Sequence, residues 1–198
     1  MEMSGEERIP ASQVDTWAAL NDPEMLKACV PGCEAIERTA ENEYQVLMVA
    51  RIGPVSAKFK GKLSLSDLDP PNSYAIAFEG QGGAAGFGKG SARVQLAPDG
   101  EGTRLSYEVK ANVGGKLAQI GSRLVDAAAR KISQDFFAAF NEKVAALHVA
   151  HGAEVHDEHH VQPVQRDPDL PTVSDASLVF LAAGSLVVFV VALITLLS

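Results

Sequence analysis

The stretch TRLSYEVKANVGGKLAQIGSRLVDAAARKISQDFFAAFNEKVAAL, residues 103–147, changes its hydrophobic period once, and that change decides the fold. Over Thr103–Val113 the apolar positions are Leu105, Tyr107, Val109, Ala111 and Val113, with Arg104, Ser106, Glu108 and Lys110 between them. A period of two puts each set on its own face of a strand. After Gly114-Gly115 the spacing becomes three to four: Leu117, Ile120, Leu124, Ala128, Ile132, Phe136, Phe140, Val144 and Leu147. This is the stripe of one amphipathic helix of about eight turns. Such a stripe needs an apolar partner, and the strands before it supply one.

Those strands recur at hairpin spacing. Gly88–Ala97 sets Ala92, Val94 and Leu96 against Ser91, Arg93 and Gln95. Ser73–Gly80 alternates through Tyr74, Ile76 and Phe78. Ser56–Leu68 carries Ala57, Phe59, Gly61, Leu63 and Leu65 on one face and Lys58, Lys60, Lys62, Ser64 and Ser66 on the other. Glu43–Arg51 is longer and contains Val46 and Met48; Glu34–Thr39 is short, and Glu2–Ile9 adds a first strand. The alternation predicts an antiparallel sheet with one wet face. Before the meander, Ser12 caps a helix through Leu20, with Asp15 three residues on as in a loose capping box. Asn21-Asp22-Pro23 starts a second short helix that ends near Cys29, before Pro31-Gly32. The expected class is α+β, a curved antiparallel sheet of about seven strands around a long C-terminal helix.

The chain has 198 residues and a formal net charge of −8, a poor basis for binding nucleic-acid phosphates. Two cysteines exclude a disulfide scaffold and any four-cysteine metal site. Residues 1–147 carry a net −3 and residues 148–198 a net −5. His148–Asp175 holds six acids, one arginine, three prolines and no aromatic residue, and reads as a flexible linker. Ser177–Ser198, SLVFLAAGSLVVFVVALITLLS, has 22 residues and no charge, enough to cross a bilayer as one helix. The start, MEMSGEERIP, is polar and acidic, unlike a signal peptide. The expected division is a folded domain over 1–147, a linker over 148–175 and a transmembrane tail anchor over 176–198. The folded domain is then cytoplasmic, on a single-pass protein of the bacterial cell membrane.

Alternate turns of a meander emerge at the same end. One end holds Ala40–Asn42, Asp69-Pro70-Pro71-Asn72 and Pro98-Asp99-Gly100-Glu101, which are polar and acidic. The other holds Ile52-Gly53-Pro54-Val55, Gln81–Gly88 and Val113-Gly114-Gly115, which are apolar and glycine-rich. Apolar, glycine-rich tips suit a mouth or a docking surface, although glycines also serve hairpin geometry. Phe87 is the one bulky aromatic there, a candidate gate or membrane-touching residue. Between sheet and helix, Met48, Phe59, Leu63, Ile76, Phe78 and Val94 are candidate ligand-binding residues, with Leu105, Tyr107, Leu124 and Phe136 completing the set. Small residues opposite these large ones either interdigitate into a solid core or leave a lipid-sized cavity.

Other features have plainer readings. All five histidines, His148, His151, His156, His159 and His160, fall in the linker, as a metal-binding tract or a solvated segment. Cys29 and Cys33 read as packed small residues rather than a redox pair. Lys58, Lys60 and Lys62 form a basic strip: a solvated face, protection against edge pairing, or a contact for an acidic partner. No histidine lies within residues 1–147, which excludes a histidine-based triad in the domain. Glu79, Asp126 and Tyr107 are the acid–base candidates that remain.

The order strand, two short helices, six strands, long helix resembles the helix-grip fold of the START-like (SRPBCC) superfamily. Val30-Pro31-Gly32-Cys33-Glu34 resembles the CoxG family, the G subunit of carbon monoxide dehydrogenase. So do Arg51-Ile52-Gly53-Pro54-Val55 leading into Phe59-Lys60-Gly61, and Gly88-Lys89-Gly90-Ser91-Ala92. The resemblance implies a non-enzymatic partner of a molybdenum-containing carbon monoxide dehydrogenase or related hydroxylase. It tilts the interior toward a cavity for a hydrophobic small molecule or lipid, such as respiratory quinone or another prenyl lipid, with no resident cofactor. An enzyme acting on a bound hydrophobic molecule, or an assembly factor that binds only protein, are the alternatives.

Overall fold

The structure, a computed structural model, describes residues 2–153. Strand β1 (Glu2–Ile9) is followed by helices α1 (Gln13–Leu20) and α2 (Pro23–Cys29). Strands β2 (Cys33–Ala40), β3 (Glu43–Ile52), β4 (Val55–Asp69), β5 (Ser73–Gln81), β6 (Phe87–Asp99) and β7 (Gly102–Gly114) form the meander. The chain closes with a one-turn helix α3 (Lys116–Gln119) and the long helix α4 (Ser122–Ala153). The strands make one sheet in the order β1-β7-β6-β5-β4-β3-β2. Every neighbouring pair is antiparallel. This is the expected helix-grip arrangement.

Local chemistry explains the connections. Ser12 Oγ accepts from the Asp15 backbone N–H at 3.1 Å, and the Asp22 carboxylate accepts from Glu24 N–H at 2.9 Å, so each short helix has a side-chain cap. The alternation expected for β4 to β7 is the one observed: Phe59, Leu63, Ile76, Phe78, Val94, Leu105 and Tyr107 are buried and their neighbours in sequence face out.

Two expectations need correction. The stripe beginning at Leu117 does not run through one helix. Gly121, at φ +92°, breaks it and starts α4 in a new phase. Within α4 the expected four-residue spacing drifts about 40° per step around the helix, so the buried line is Val125, Ala129, Ser133, Phe136, Phe137, Phe140 and Val144. Leu124, expected inside, is 51% exposed, and Leu147 is 48% exposed. Second, the lysine strip does not guard an edge. β4 lies between β3 and β5; the edges are β1 and β2. Among the described residues no helix is long and apolar enough to cross a membrane. Helix α4 runs on to Ala153, into the stretch 148–175 expected as linker; the rest of that stretch and Ser177–Ser198 lie outside the described residues.

Candidate functional site

The space between the inner sheet face and α4 collects most of the residues expected there. Met48, Phe59, Leu63, Ile76, Phe78, Val94, Leu105, Tyr107 and Phe136 are all buried. Phe136 packs on Phe140 and Phe137 at ring separations of 5.5 and 5.2 Å, and Phe137 stacks on Tyr107 at 5.8 Å. Large rings also lie over glycines: Phe78 over Gly90, Phe59 against Gly82 and Tyr107 against Gly5. A Cβ at any of these glycines would strike the ring. Small and large residues thus interdigitate at these positions. Trp17, edge-on to Tyr74 at 5.5 Å, extends the cluster to α1. Sequence pattern did not single out Trp17, Ser133 or Phe137. The spacing Val125, Ala129, Ser133, Phe137 is the signal that would have found the last two.

Two candidates do not join this interior. Leu124 lies at the β3–β4 turn, with Cδ1 3.8 Å from where a Cβ on Gly53 would be. Phe87 pairs in register with Gly114 and covers it on the outer face, the face opposite the buried Gly88 and Ala92. It is 48% exposed.

Several hydroxyls break the apolar surroundings, and those of Tyr107, Ser133 and Tyr44 are among them. Tyr107 Oη and Ser133 Oγ lie 3.2 Å apart and share one hydrogen bond across the sheet–helix interface. Two hydroxyls joined by one bond leave a proton free to donate elsewhere. The Tyr44 hydroxyl, on a side chain 2% exposed, has no hydrogen-bond partner among the described residues. Burial pushes both phenols above their ordinary value; the Ser133 bond opposes this at Tyr107 and Arg38 opposes it at Tyr44. Glu7, at an inward-facing position of β1, is likewise raised by burial. The acid–base candidates do not converge: Glu79 stands on the outer face, exposed, while Tyr107 is inside. Burial pushes both thiols, Cys29 and Cys33, up to about 11, so they are protonated and poorly nucleophilic near neutrality.

The glycine-rich end closes over this interior. Leu117 of α3 is fully buried, and α3 is flanked by Gly115 at φ +83° and Gly121 at φ +92°. The β5–β6 loop, with a 3-10 turn at Gly83–Ala85, meets the β7–α3 junction where Gly86 and Gly115 approach without side chains. A groove of about 760 Å³ lies elsewhere, on the outer face, lined by residues including Lys62, Ser64, Glu79, Lys89 and Lys110. Its charged lining does not suit an apolar ligand.

Known proteins share this architecture. A conserved protein from Geobacillus kaustophilus is 30% identical, with a TM-score of 0.70 over 74% of this chain and 96% of its own. The Zhui aromatase/cyclase from a Streptomyces species is 14% identical, with a TM-score of 0.59 over 77% of this chain and 98% of its own. A protein from Thermus thermophilus is 19% identical, with a TM-score of 0.57 over 74% of this chain and 99% of its own. The last two show the fold alone. No curated protein matches. The family model of the carbon monoxide dehydrogenase G subunit (CoxG) matches residues 5–145, most of the chain. The chain therefore belongs to the CoxG family.

Proposed function

We propose that this chain is a membrane-tethered, non-enzymatic accessory protein. It recruits a molybdenum-containing carbon monoxide dehydrogenase or related hydroxylase to the membrane and holds a respiratory quinone or other prenyl lipid between sheet and helix. The observation that carries the ligand half is the Tyr44 hydroxyl, buried without a partner among the described residues in an apolar interior. An unmatched buried hydroxyl costs about 1–3 kcal/mol, which a bound carbonyl or hydroxyl would offset. The Tyr107–Ser133 pair supplies a second donor at the far side of the sheet. Entry is at the glycine-rich end, where α3 and its buried Leu117 form a plug between two glycines able to rotate. The family supports the choice of partner enzyme, and the uncharged Ser177–Ser198 supports the tether.

Two measurements test this. Full chain purified in mild detergent is extracted and its lipids identified by mass spectrometry. Retained prenyl lipid close to one per chain is expected, and less in Tyr44→Phe. A lipid-free extract overturns the ligand half and leaves a protein-binding factor with a solid core. Recruitment is read from the membrane-bound fraction of the hydroxylase in cells. Deleting residues 177–198 is expected to move it to the soluble fraction; an unchanged distribution overturns the recruitment half.

A further inference from the structure

The cations of this domain are not treated alike. At the acidic end Arg8 meets Asp99 at 3.6 Å, and Arg38 donates to the carbonyls of Ala40 and Glu41. At the glycine-rich end Arg51, Lys116 and Arg123 are exposed, and none forms an ion pair among the described residues. Lys89, two residues from Phe87 on the same outer face, likewise has no ion pair among them. Glu79 stands across from Lys89 in register and Asp126 lies three residues after Arg123 on α4, yet neither carboxylate forms an ion pair among the described residues. Phe87, two residues from Lys89, and Leu124, next to Arg123, are two of the few large apolar side chains that the described residues expose. Leu124 meets the Gly53 turn, two residues from Arg51, and Gly86 meets Gly115, beside Lys116.

Exposed cations free of ion pairs, set near exposed apolar side chains, are the signature of a surface that seats on an anionic bilayer. We propose that the glycine-rich end docks on anionic phospholipid. In this arrangement Phe87 and Leu124 enter the boundary between headgroups and acyl chains, and Arg51, Lys116 and Arg123 meet the phosphates. The acidic end, with Glu41, Asp69, Asp99 and Glu101, then faces away from the membrane. An acidic protein surface would satisfy the cations but gives no role to two apolar side chains beyond contact, so lipid is the better fit. The proposal shares a membrane with the proposed function but does not require Ser177–Ser198 to cross it.

The test uses the full chain carrying Trp17→Phe and Phe87→Trp, which leaves a single tryptophan at the docking site. It is mixed with phosphatidylcholine vesicles, with or without phosphatidylglycerol, whose acyl chains are brominated to quench tryptophan on contact. Quenching is expected only with phosphatidylglycerol, and it should fall in high salt. Leu124→Trp should behave alike, and Glu101→Trp, at the acidic end, should not be quenched. Removing a cation costs about fivefold in partitioning to an anionic surface, so Arg51→Glu/Lys116→Glu/Arg123→Glu should lower it by roughly a hundredfold or more. Unquenched Phe87→Trp and Leu124→Trp on phosphatidylglycerol vesicles overturn the proposal and turn the cations toward a protein partner. Equal quenching by phosphatidylcholine also overturns it. Sedimentation with phosphatidylcholine vesicles reports the tail separately. A chain that sediments there but stays unquenched keeps its anchor and loses the docking surface.

Discussion

The two ends of this sheet are built from the same hairpins yet held by different forces. At the acidic end side chains bolt the turns to their surroundings. Gln13 Nε2 donates to the Leu96 carbonyl at 3.0 Å and to Asn72 Oδ1 at 3.1 Å. The buried Thr103 hydroxyl donates to the Ala11 carbonyl at 2.8 Å. At the glycine-rich end the loop is held through its backbone, as by Gly82 N–H to the Gly86 carbonyl at 2.8 Å and Gly86 N–H to the Gly83 carbonyl at 3.2 Å. Close approach of bare backbone does there what side chains do at the other end. Side-chain bolts lock a turn to the core, whereas glycine contacts hold only while the loops stay together. This difference leaves the acidic end the more firmly bolted of the two by side chains.

The sharpest way to break the comparison is to give the glycine end a side chain. Gly86 sits at φ +126°, ψ −157°, and a Cβ would strike the Gly114 carbonyl. Gly86→Ala should therefore cost about 3 kcal/mol in urea denaturation. At the acidic end Gly100, at φ +64°, has only the tip of Arg8 nearby at 3.7 Å, so Gly100→Ala should cost about 1 kcal/mol. Equal losses would show that the glycine contacts are not the closure. Next in size is Thr103→Val, which keeps shape but removes a buried donor; about 1–2 kcal/mol is expected by the same measurement. A negligible loss would mean the acidic end is not bolted there.

The smallest effect concerns charge. Burial raises the Glu7 carboxyl above its ordinary 4.5. The folded chain keeps that proton to higher pH than the unfolded chain. Stability is therefore greatest below 4.5, falls as pH rises through the raised value, and is flat above it. Glu7→Gln should remove this slope, matching the parent at low pH and slightly exceeding it at pH 7. A slope that persists in melts of Glu7→Gln across this window would assign it to another group.

The CoxG match covers the folded domain and not the stretch after it.

The sequence by itself determined the seven strands, the two capped helices and the two contrasting ends. Period-two alternation and turn residues are local, and side-chain direction in a strand alternates without reference to anything distant. It also placed Phe59, Leu63, Phe78, Tyr107 and Phe136 inside. Only the tertiary structure decided which face of α4 meets the sheet: strict four-residue steps drift about 40° per step around a helix, so Leu124 lies nearly opposite Phe140 and turns out while Ser133 turns in. It decided that Phe87 stands outside, since that depends on pairing with Gly114. It likewise decided that Lys58–Lys62 lie on a central strand. Cross-strand register and helix phase join residues far apart in sequence, and periodicity within one segment carries no information about either.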